Sequence, residues 1–103
     1  MAENLVTRAD VERVVLTALS NANMARDARS QLTVAPDASV FAPGSPLDSL
    51  GLVALLVDIE DGLRDEGQDV ELSDARAMSQ QNSPFRSVPA LVDYILGIVG
   101  THA

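Results

Sequence analysis

The 103-residue sequence predicts an all-α fold: a small four-helix bundle, three main helices plus a short third one, with a long first loop. Three observations predict it. Apolar residues recur at helical spacing in three separate segments, each preceded by a capping residue. Aromatic residues make up only 3% of the chain and tryptophan is absent, so the core must be built from Leu, Val, Ile and Ala. That set suits packed helices better than a β-sandwich. The third observation is length, which allows one domain with a modest core and not two, structured over about residues 5–99.

The first helix is capped by Thr7, with Asp10 at the capping-box position, and its apolar set is Val11, Val14, Val15, Ala18 and Leu19. It fades near Asn21 to Asn23. The following "MARDARSQL" is ambiguous between a short helix and turns, whereas "TVAPDASVFAPGSP" is broken by three prolines and a glycine. A connection this long is usually functional or disordered. Val40, Phe41 and Leu47 read as apolar pins that order it against the core.

A second helix runs from about Ser49 to Arg64, with Asp48 as N-cap. Ser73 with "DARAM" suggests the short third helix, and "QQNSP" a loop. Ser87 caps the last helix, which tolerates Pro89 in its first turn. Its apolar set is Val88, Leu91, Val92, Ile95, Ile98 and Val99, and Gly97 and Gly100 lie near its end.

Several chemistries are excluded. With no cysteine there is no disulfide, thiolate nucleophile or cysteine-bound metal, so any thiol must come from a cofactor. The only histidine, His102, is penultimate, and no G-x-S-x-G elbow is present, which argues against a triad. A calcium loop started at Asp58 puts Gly62 at the fifth ligand position, and one started at Asp65 puts Arg76 where a Glu is required. Phosphate-cradling glycine motifs are missing. No catalytic residue and no metal site are expected. No run approaches a membrane span and the N-terminus lacks a long apolar region, so a cytoplasmic protein is expected.

Net charge is −8, and eight of the fifteen acids fall between Asp58 and Asp74. Such a surface repels nucleic acid and anionic membrane and steers basic protein patches.

The second helix is apolar on two sides. Leu52, Leu55, Leu56, Ile59 and Leu63 form one stripe, and Leu50, Val53, Ala54 and Val57 another on the opposite face. A small domain rarely encloses a whole helix, so one stripe should pack against the first and last helices and the other stay exposed. Ser49 lies in the first turn, where unpaired N–H groups and the positive dipole end favour an anion. Read alone, it is a second capping residue after Asp48.

The motif Asp48-Ser49-Leu50, followed by an apolar helix ending in Glu60 and Asp61, resembles the acyl carrier protein family. The long loop "ASVFAPGSPLDSL" and the closing "FRSVPALVDYI" fall in family order, so the resemblance covers nearly the whole chain. It implies a 4′-phosphopantetheine arm, taken from coenzyme A by a phosphopantetheinyl transferase and attached to Ser49. The arm's thiol would carry acyl or aminoacyl groups as thioesters between loading and processing enzymes. The chain itself would be a monomeric substrate of those enzymes and not a catalyst. Leu50, Val53, Ala54 and Val57, with the acids Glu60 and Asp61, would then dock basic patches on the partners.

The sequence departs from the family pattern at three places. Pro46 stands where many members have glycine, Ala54 where many have glutamate, and the segment around "SQQNSP" is about five residues longer. These favour a discrete carrier in a specialised pathway, such as polyketide or nonribosomal synthesis, over a general fatty-acid synthase. The alternative is an acidic helical interaction module of the same fold in which Ser49 is unmodified.

Overall fold

The computed structural model describes residues 7–42, 46–68, 70, 72 and 85–99, and for Ser49 and Val99 the backbone alone. Among these residues the protein is all-helical, with three helices: α1 (Arg8–Asn23), α2 (Ser49–Asp65) and α3 (Val88–Val99). The expected short helix after Ser73, the "QQNSP" loop, and the positions Gly44, Ser45, Gly100 and His102 lie outside the described residues.

Each helix begins where a side chain takes up an unpaired amide. Thr7 Oγ1 accepts from the Asp10 amide at 3.1 Å, and the Asp10 carboxylate accepts the Thr7 amide at 3.1 Å, closing the capping box. That backbone hydrogen bond from Thr7, then the Thr7 hydroxyl and the Arg13 guanidinium, hold the Asp10 carboxyl below the usual carboxylate range. Asp48 caps α2, and Ser87 Oγ accepts the Ala90 amide at 3.2 Å to start α3. Pro89 sits in the first turn of α3, where no intrahelical donor is lost.

After α1 the chain forms turns and not a further helix. Asn23 decides this: its side chain donates to the Leu32 carbonyl at 2.8 Å and accepts the Leu32 amide at 2.6 Å. The eight residues between are drawn into a closed loop. Asp27 Oδ1 accepts the Ser30 amide and hydroxyl within it, an arrangement that competes with helix continuation.

One buried cluster joins the three helices to the loops. It contains the α1 residues Val11, Val14, Val15, Ala18 and Leu19, the inward stripe of α2, and Val88, Leu91, Val92 and Ile95 of α3. The loop pins Val40, Phe41 and Leu47 are buried in it, as are Leu72 and Phe85. α1 packs on both other helices, while α2 and α3 do not approach each other backbone to backbone among the described residues. Side chains of all three helices nevertheless meet in the common cluster, and the loop side chains complete the core. Ile98 is exposed and does not belong to the buried set of α3.

The long loop is tied to the start of α3 by backbone bonds. Val40 N–H donates to the Arg86 carbonyl at 2.8 Å, Phe41 N–H to Phe85 at 3.0 Å, and Val88 N–H to Ala38 at 2.9 Å. Ser39 and Ser87 face each other as an isolated antiparallel bridge. Phe85 is fully buried and meets Tyr94 edge-to-face with ring centroids 5.5 Å apart.

Candidate functional site

The approach to α2 is held at three consecutive residues. The Pro46 carbonyl accepts Arg26 Nη2 at 2.9 Å, Leu47 is buried, and the Asp48 side chain accepts the Gly51 amide at 2.7 Å. Asp48 is extended (φ −96°, ψ −178°), and its own carbonyl accepts the Leu52 amide at 2.8 Å. Gly51 permits this crowding. A Cβ there would lie 2.8 Å from Leu47 Cδ1 and 3.1 Å from Asp48 Oδ1.

Ser49 is the first residue of α2. By helix geometry its amide and that of Leu50 have no intrahelical acceptor, so the turn presents donors and the positive end of the helix dipole. At Gly51 in the same turn, the Asp48 carboxylate and Arg26 Nη1 lie 3.1 Å and 3.7 Å from the point a Cβ would occupy.

Beyond the first turn, α2 separates into the two faces that periodicity expects. Leu52, Leu55, Leu56, Ile59 and Leu63 are buried. On the other face Leu50 is 82% exposed, Val53 40% and Val57 45%, and Ala54 is exposed as well. This is an apolar surface, rimmed by polar groups, leading away from Ser49.

The acids at the end of α2 divide. Asp61 is exposed and paired with Arg64 at 2.9 Å. Glu60 is half-buried and accepts the Leu72 amide at 2.6 Å, so one oxygen is committed to holding the chain after α2. Glu66 is bridged to Asp10 through Arg13, whose guanidinium pKa is raised by the Asp10 carboxylate first and by Glu66 second.

Arg26 and Gly51 are parts of this site that sequence reasoning missed. Arg26 acts on a backbone carbonyl twenty residues away, for which spacing gives no signal. Gly51, a glycine in the first turn of an otherwise apolar helix, was the visible clue to close packing.

Among the described residues no group of three or more His, Asp or Glu side chains could hold a metal ion. No described helix is long and apolar enough to cross a membrane. No protein-family model matches the chain, and no curated protein or solved structure matches it.

Proposed function

We propose that the protein is a discrete acyl carrier protein, bearing a 4′-phosphopantetheine arm on Ser49. The observation that carries this reading is the first turn of α2. Ser49 opens a helix capped by Asp48, and the apolar surface of Leu50, Val53, Ala54 and Val57 begins beside it. A transferase must bury such a surface to reach the serine, and exposed apolar patches of this kind mark binding sites.

The residues present fit a phosphodiester. The Ser49 and Leu50 amides and the dipole end favour an anion. In the attachment step the serine oxygen forms a bond to the β-phosphorus of coenzyme A. The pyrophosphate P–O bond breaks, adenosine 3′,5′-bisphosphate leaves, and the serine proton passes to a base of the transferase. The arm supplies the thiol that this cysteine-free chain lacks. Acyl or aminoacyl groups carried on it would pass between enzymes of a specialised biosynthetic pathway in the cytoplasm. Asp61 would meet basic groups on those partners. The protein acts as a monomer.

The rival reading, an unmodified interaction module, uses the same exposed stripe. Intact mass after incubation with a phosphopantetheinyl transferase and coenzyme A separates them. The expected result is a single addition, mapped to the peptide holding Ser49 and lost in Ser49→Ala. No addition, or addition to Ser45, refutes the carrier reading.

A further inference from the structure

Arg26 is half-buried and spans three segments of chain. Its Nε donates to the Ser30 carbonyl at 2.5 Å and its Nη2 to the Pro46 carbonyl at 2.9 Å. Nη1 then lies over the first turn of α2, beside Gly51 and the capping Asp48. A cation at a helix N-terminus opposes the dipole there, so helix stability alone does not explain its place. What the guanidinium does is fix the last carbonyl before the buried Leu47 and the capping Asp48. That carbonyl lies two residues before the helix cap.

We infer that Arg26 is a positioning residue of the modification site. By clamping Pro46 it keeps the Leu47–Asp48–Ser49 turn in the single arrangement a modifying enzyme can engage. The inference rests on the carrier reading and adds to it a residue outside the Asp-Ser-Leu motif. A guanidinium reaches both carbonyls from separate nitrogens in a fixed plane, whereas an ammonium is one point charge. Without the clamp the competent arrangement becomes a fraction of the population, and apparent affinity falls by that fraction. The chemical step is untouched once the turn is engaged.

The test is transferase kinetics with this protein as the varied substrate, for wild type, Arg26→Ala, Arg26→Lys and Arg13→Ala. Arg13 is the control, since it also binds two partners and carries one positive charge, but near Glu66 at the far end of α2. Arg26→Ala should raise KM about tenfold, the effect of losing one charge-assisted hydrogen bond, with kcat held within about twofold. Arg26→Lys should recover only part of the loss, and Arg13→Ala should leave KM unchanged. In spectra of the unmodified protein, the Gly51 amide signal should move in Arg26→Ala and stay in place in Arg13→Ala. An unchanged KM in Arg26→Ala, or an equal rise in Arg13→Ala, overturns the inference while leaving the carrier reading standing. A wild-type protein that takes no arm overturns both.

Discussion

A methyl group on Gly62 would meet Val14 Cγ1 at 2.8 Å, closer than real Cβ contacts come, so this position sets how near α1 lies to α2. Two effects compete in Gly62→Ala. Helix propensity favours alanine by about 0.8–1 kcal/mol. Overpacking a buried contact costs about 1–3 kcal/mol, and Val14 is a β-branched core residue with little freedom to turn away. The second effect wins, so Gly62→Ala should lower the melting temperature, whereas Gly97→Ala, with open space around it, should not. The measurement is a thermal melt of each variant. A stabilised Gly62→Ala would show that α1 and α2 have slack between them. At this scale the local caps were legible, because Thr7 with Asp10, and Asp48 with Gly51, lie three residues apart. Arg26 on Pro46 and Glu60 on the Leu72 amide were not, since each spans a dozen residues or more and ends on backbone. Asn23 was hidden for a similar reason: its bonds to Leu32 turn the chain at a place where composition still allowed a helix.

At the scale of the element, α2 carries the argument. Its inward stripe is fully buried against α1 and the loop pins, and its outward stripe faces solvent. Leu55→Ala or Ile59→Ala should therefore cost about 2–5 kcal/mol, through lost burial and the cavity left behind. Val53→Asp and Val57→Asp should stay within roughly 0.5 kcal/mol of wild type, as exposed substitutions do. In a transferase assay the ranking should reverse, the two aspartate variants losing modification while remaining folded. If Val53→Asp and Val57→Asp unfold the protein as the inward changes do, the outward stripe is not a free surface. The two stripes were readable from a 3.6-residue period alone. The period did not reveal Leu72 and Phe85, which lie outside the three helices and share their buried cluster.

Across the whole molecule, α1 is the member on which both other helices pack, and the long loop closes the remaining gap. The backbone pairing of residues 38–41 with 85–88 ties that loop to the start of α3, while Arg26 ties its other end to the turn after α1. The loop thus arrives at Ser49 from a fixed direction. Buried Val40, Phe41 and Leu47 announced an ordered loop in the sequence, but the pairing partner did not, because Phe85 to Val88 read only as the cap of a helix. The acids add a negative charge bias, concentrated between Asp58 and Asp74. All of this places one serine at the head of one exposed apolar surface, and the central claim is that this serine carries an arm in the cell. Mass spectrometry of the protein isolated from its own host tests that claim most directly. The account predicts phosphopantetheine on the peptide containing Ser49, with acyl or aminoacyl cargo that hydroxylamine releases. A protein that leaves the cell with Ser49 unmodified, under conditions where its partners are expressed, would contradict it.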